Sequence, residues 1–121
     1  MIKKKIVVVD DFPGVRAIIK EALEKKGYIV LEASNGEEAM KYFDGTQVDL
    51  LITDYDMPEM DGAKLITRLR DTSRYVYTPV IMLTGIRKDR IEEKISKLNI
   101  ACFLQKPFEI NHFYSVIEKL V

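Results

Sequence analysis

Apolar positions along this chain change period repeatedly, and each change marks the boundary of a predicted element. Lys5-Ile-Val-Val-Val9 is short, β-branched and apolar without alternation, which predicts a strand covered on both faces. It stops at Asp10-Asp11. From Pro13 onward Val15, Ile18, Ile19, Ala22 and Leu23 recur at helical spacing as far as Gly27. That pattern predicts an amphipathic helix with Pro in its first turn and Gly at its left-handed exit. The next unit predicts a strand over Tyr28–Ala33 and a helix through Glu37–Phe43, closed by Asp44-Gly45. Val48–Thr53 predicts a third strand that ends in Asp54, and Tyr55–Gly62, with Pro58 and Gly62, reads as a loop. Leu65, Ile66 and Leu69 give the third helix its buried side. Pro79–Leu83 predicts a fourth strand running into Thr84-Gly85, and Ile91, Ile95 and Leu98 stripe a charged helix that Asn99 can close in a left-handed conformation. Ala101–Gln105 predicts a fifth strand, broken by Lys106-Pro107, and Phe113, Val116, Ile117 and Leu120 form the inner face of a last helix.

Five βα units with continuously apolar strands imply an α/β fold: a doubly wound, five-stranded parallel sheet with helices on both faces. Right-handed crossovers restrict the topology, and the expected arrangement is (βα)5 with the flavodoxin-like strand order 2-1-3-4-5. At 121 residues there is room for one such domain, expected to span 1–121, with no linker, repeat or low-complexity tract.

Composition narrows the function classes. Lys+Arg and Asp+Glu both number 19, for a net charge of zero, which argues against gripping nucleic acid or an anionic membrane through bulk charge. One cysteine excludes a disulfide framework and a multi-cysteine zinc site. No apolar run approaches the ~20 residues of a membrane span, and the Lys-rich start lacks a signal-peptide core, so a cytoplasmic domain is expected. The zero is nevertheless a cancellation. Between Glu32 and Gly62 nine acids face one base, Lys41, a balance of −8 that the rest of the chain returns as +8.

In open parallel sheets ligands bind beyond the carboxyl ends of the strands, where the strand order reverses. This chain places Asp10 and Asp11 after its first strand, Asp54 after its third, Thr84 at its fourth and Lys106 at its fifth. Carboxylates gathered this closely repel one another unless a cation joins them. Mg²⁺ is the natural choice, since it takes oxygen ligands and keeps several waters. One carboxylate could then act as nucleophile toward a phosphoryl group, with Thr84 and Lys106 binding its oxygens. The assembly reads as an aspartyl-phosphate site.

The chain resembles the receiver domain of two-component response regulators, in plan the single-domain CheY-like and Spo0F-like members. The resemblance rests on Val7-Val-Val-Asp-Asp11, on Asp54 with Met57-Pro58 and Asp61-Gly62, on Leu83-Thr84-Gly85, and on Lys106-Pro107-Phe108. It implies that Asp54 is the phosphoacceptor, taking phosphate from a histidine kinase or histidine phosphotransfer protein. It implies Mg²⁺ held by Asp10, Asp11, Asp54 and the backbone carbonyl of Asp56. Lys106 and Thr84 would bind the phosphoryl group, and Phe103 would be the aromatic that changes rotamer on activation. The positions two beyond Asp54 and Thr84, here Asp56 and Ile86, would tune the lifetime of the acyl phosphate. Pro107 is a cis-proline candidate. The face made by the fourth helix, fifth strand and fifth helix would engage an unknown downstream protein, with no direct nucleic-acid or membrane contact. With no residues after Val121 for an output domain, a stand-alone receiver is expected, unless the chain is excised from a longer regulator.

Blander readings stand beside these. Asp10-Asp11 could cap a helix, Thr84 could satisfy strand-end backbone, Phe103 could be core, and His112 suits a surface or cap role. Cys102 is expected to be small, buried and inert. Arg87, Lys88, Arg90, Lys94 and Lys97 alternate with acids as a solvated face. Other functions are a small aspartate-nucleophile phosphatase, for which Asp54-Tyr-Asp56 offers a superficial match, a flavodoxin-like electron carrier, and a phosphate-independent receiver-like docking module. Pro58 counts against the first, and the Asp10-Asp11 charge would repel the FMN phosphate of the second.

Overall fold

The computed structural model describes residues 3–121. Five parallel strands, β1 (Lys5–Val9), β2 (Ile29–Ala33), β3 (Leu50–Thr53), β4 (Val80–Thr84) and β5 (Cys102–Gln105), form one sheet in the order β2-β1-β3-β4-β5. The helices between and after them are α1 (Pro13–Lys25), α2 (Gly36–Met40), α3 (Gly62–Arg70), α4 (Lys88–Ile95) and α5 (Ile110–Leu120). The expected fold is the observed one.

The reason the strands read as unbroken apolar runs is visible in the two cores. Alternate residues of one strand serve opposite faces. Ile6 and Val8 join Leu50, Ile52, Ile81, Leu83 and Leu104 beneath α1 and α5, where Ile19, Leu23, Phe113 and Ile117 cover them. Val7 and Val9 join Leu51, Val80 and Met82 beneath α2, α3 and α4, where Ala39, Leu65, Ile66, Leu69, Ile91 and Ile95 close the layer. β3 and β4 are buried throughout and β1 from Ile6 onward, whereas β2 and β5 are edges and only partly covered.

Several expectations are corrected in detail. Ile18 belongs to the apolar stripe of α1 by spacing, yet it is 64% exposed and lines an open groove with Pro107, Phe108 and Ile110. It lies with Phe12 (65% exposed) and Ile110 (40%) on the same side of the molecule as the carboxyl edge. Cys102 is half-buried rather than enclosed, and burial pushes its thiol pKa up against the lowering influence of Lys88. The second helix is shorter than expected and ends at Met40, and the fourth ends at Ile95, before Leu98. A 3-10 turn at Ser73–Tyr75 was not anticipated. Gly27 and Asn99 do adopt the left-handed conformation, at φ 90° and 55°.

One side chain fastens the lower part of the fold. The guanidinium of Arg70, at the end of α3, donates to the carbonyls of Tyr75, Val76 and Thr78 and to those of Leu98 and Asn99 beyond α4.

Candidate functional site

The reversal of strand order falls between β1 and β3, which run in register with Val9 beside Thr53. The residues that follow them, Asp10 and Asp54, therefore emerge side by side, and the Asp54 N–H donates to the Val9 carbonyl at 3.0 Å. On the outer strands the same edge carries Thr84 and Lys106, joined by a bond of 2.8 Å from the Lys106 N–H to the Thr84 carbonyl. Sheet geometry alone thus gathers residues far apart in sequence.

Each side chain is then fixed locally. Asp10 is buried; its Oδ1 accepts the Phe12 N–H at 2.9 Å and its Oδ2 accepts from Lys106 Nζ at 2.7 Å. Its carbonyl accepts from Arg16 Nη1 at 2.7 Å. The Asp54 carboxylate accepts the Tyr55 N–H on Oδ1 at 2.7 Å and Lys106 Nζ on Oδ2 at 3.2 Å. Asp10, Asp11 and Asp54 each bring an oxygen to within 4.8 Å of the others. Asp11 Oδ1 is buried with no hydrogen-bond partner. A buried carboxylate oxygen without a donor is costly, so this donor set suits a hard divalent cation, which would complete Asp11 and offset the crowding.

Lys106 lies between the two carboxylates as their shared counter-charge. Burial works to lower its pKa, but the hydrogen bond to Asp10 and the charges of Asp54 and Asp10 outweigh it and hold the ammonium above its ordinary 10.5. The Lys106–Pro107 peptide bond is cis. Thr84 is buried, and its Oγ1 accepts the Ile86 N–H at 3.3 Å. Asp54, Thr84 and Lys106 open into a pocket of about 380 Å³ whose walls are Phe12, Val15, Asp56, Gly85 and Ile86. The cavity can admit a phosphoryl group onto the Asp54 carboxylate.

Of the residues singled out in the sequence, the structure brings together Asp10, Asp11, Asp54, Asp56, Thr84, Ile86 and Lys106. Phe103 is not among them. It is half-buried on the α4 side of β5, in a separate groove with Lys88, Glu92 and Ile95. Asp10 does not cap α1, whose N-cap is Phe12 without a side-chain bond, whereas Asp61 and Asn35 are true caps of α3 and α2. His112 is exposed, and its backbone N–H is bonded to Glu109. Sequence reading missed Arg16. The signal was present: a cation in the first turns of a helix opposes the macrodipole and needs a specific partner.

Comparison with known proteins agrees with this geometry. The profile described as the response regulator receiver domain matches residues 6–118. The chain is 45% identical over 106 residues to the chemotaxis protein CheY1 of Helicobacter pylori, covering 86% of each chain. It is 29% identical to the transcriptional regulatory protein TrcR of Mycobacterium tuberculosis over 97% of this chain, but spans only 45% of that longer protein. Among solved structures it superposes, with TM-score 0.85 and 31% identity, on the response regulator TrrA of Thermotoga maritima in complex with Mg²⁺-BeF, over 98% of this chain and 99% of that one.

Proposed function

The chain belongs to the response-regulator receiver family of two-component signalling, and on that premise we propose that Asp54 accepts a phosphoryl group from a phosphohistidine of a kinase or phosphotransfer protein. An Asp54 oxygen attacks phosphorus, a P–O bond forms as the P–N bond to the donor imidazole breaks, and the imidazole keeps the electron pair. Asp10, Asp11 and Asp54, with the Asp56 carbonyl, hold Mg²⁺. Bound Mg²⁺ supplies charge neutralisation for the phosphoryl oxygens during transfer. Lys106 and Thr84 bind those oxygens, so Lys106 exchanges part of its contact with Asp54 for the phosphate. Asp56 and Ile86, on the pocket wall, set how long the acyl phosphate survives water. Phe103, next to α4, couples the phosphorylated state to the face of α4, β5 and α5, which a downstream protein reads. The whole 1–121 chain serves as this phosphoacceptor domain, working in the cytoplasm and turning over only its own phosphoryl group. No helix among the described residues is long and apolar enough to cross a membrane.

The observation that carries the reading is the Asp10–Asp11–Asp54 cluster, with the Lys106 ammonium bridging two of its members. Incubation with acetyl phosphate and Mg²⁺ should add one phosphoryl group by mass to the wild type and none to Asp54→Asn. A wild type that gains no mass, or a gain that survives Asp54→Asn or chelation of Mg²⁺, would refute it.

A further inference from the structure

Arg16 is oddly placed. It sits at the fourth position of α1, where a cation opposes the helix macrodipole, and beside a cluster that would hold a second cation. Two bonds explain how it stays there. Its Nη1 donates to the Asp10 carbonyl at 2.7 Å and its Nε to Glu32 Oε1 on β2 at 3.2 Å. The side chain is only 18% exposed.

The Asp10 carbonyl belongs to the peptide that leads into Asp11. That peptide has left the sheet: the Asp10 N–H still donates to Ala33, but its carbonyl is bonded by Arg16 alone. Asp11 has no bond on its buried Oδ1 to hold it in place. The orientation of Asp11 therefore depends on the peptide before it, and that peptide depends on Arg16.

We propose that Arg16 is a positioning residue for the divalent-cation site, fixing the Asp10–Asp11 peptide so that the Asp11 carboxylate faces Asp10 and Asp54. This rests on the reading that those carboxylates hold Mg²⁺. Glu32 anchors the guanidinium from the far side and cancels its charge, so the hold costs the site little in repulsion. The two partners are held by different nitrogens of one rigid fork, Nε and Nη1, a spacing that the single nitrogen of a lysine does not reproduce.

Charge and geometry predict opposite signs. If Arg16 acted only as a nearby cation, its removal would tighten Mg²⁺ binding. If it positions Asp11, removal weakens binding, by the roughly tenfold or more typical of residues that orient metal ligands. The test is an Mg²⁺ titration of wild type, Arg16→Met and Arg16→Lys, followed by calorimetry and by the Mg²⁺-dependent rise in Tm. A purely structural loss lowers Tm equally with and without Mg²⁺ and leaves the increment unchanged. Arg16→Met should bind Mg²⁺ about tenfold more weakly. Arg16→Lys keeps the charge and is the safer variant to fold, so it isolates geometry, and it should bind about threefold more weakly. Affinity equal to or tighter than wild type in Arg16→Lys, or in a folded Arg16→Met, would overturn the proposal. A wild type that does not bind Mg²⁺ would overturn the metal reading, and this inference with it.

Discussion

Three carboxylates gather around one ammonium that pairs with only two of them, Asp10 and Asp54, and the imbalance has measurable consequences residue by residue. Replacing Asp11 by Asn removes one repelling charge from the cluster. In Mg²⁺-free buffer Asp11→Asn should raise Tm by roughly 3–5 °C, the equivalent of about 1 kcal/mol, while abolishing the further rise that Mg²⁺ gives the wild type. Lys106→Met should do the reverse. Asp10 and Asp54 lose the bonds of 2.7 and 3.2 Å to Nζ, and stability without Mg²⁺ should fall by about 2 kcal/mol, short of a fully buried pair because the lysine is partly exposed. Added Mg²⁺ should restore more stability to this variant than to the wild type. The pH dependence has a definite sign. The Lys106 pKa is raised on folding, so its contribution is complete below 10.5 and fades as pH rises through the raised value. Denaturant titrations should find the gap between wild type and Lys106→Met constant from pH 7 to 9 and narrowing above 10.5. At this scale the sequence was informative about which residues meet, since each ends a parallel strand. It was silent on the bonds that aim them. The Arg16 contacts depend on where β2 lies beside α1, which no local pattern encodes.

Among the elements, the close seat of α3 against β3 is the most demanding. Gly62 begins that helix, and a Cβ there would strike the carbonyl oxygen of Asp54 and crowd the Tyr55 Cα. Backbone cannot yield as a flexible side chain would, so Gly62→Ala should cost about 2 kcal/mol or more by denaturant unfolding and should slow Asp54 phosphorylation as well. Gly36 meets only side-chain atoms, those of Met60 from Cβ to Sδ, so Gly36→Ala should be milder. The five strands and five helices were legible because an unbroken apolar run and a 3.6-residue stripe are distinct signals. Helix ends were less so. Leu98 continues the spacing of Ile91 and Ile95, but the chain leaves α4 at Ile95 to reach the turn at Asn99. There the Leu98 and Asn99 carbonyls are taken by Arg70. Arg70→Met should therefore speed hydrogen exchange between Leu98 and Ala101 selectively, leaving β1 and β3 protected.

For the molecule as a whole, a net charge of zero conceals how its surface is divided. The carboxyl edge is acidic at its centre, and beside it lies a largely apolar groove lined by Val15, Ile18, Ile19, Pro107, Phe108 and Ile110, with Lys106 as its one charged wall. On the proposed phosphotransfer reading, a protein that brings a phosphohistidine to Asp54 would lie over this groove, and acetyl phosphate would not. Ile18→Lys, at a position that is 64% exposed, should thus slow transfer from a phosphohistidine protein at least tenfold and leave acetyl-phosphate labelling and Tm within error. Sequence periodicity assigned Ile18 to the core because a helical stripe defines an arc and says nothing of which part of that arc a neighbouring element covers. The strand order carries one more implication, and it concerns time. Asp10, Asp11 and Asp54 follow β1 and β3, the adjacent central strands, whereas Lys106 follows β5 at the far edge. Synthesis at about 5–20 residues per second puts roughly 3–10 s between the emergence of Asp54 and that of its ammonium partner. A nascent chain able to pair β1 with β3 in that interval meets the carboxylate repulsion before its counter-charge exists, so divalent cations would be its first neutralising partner.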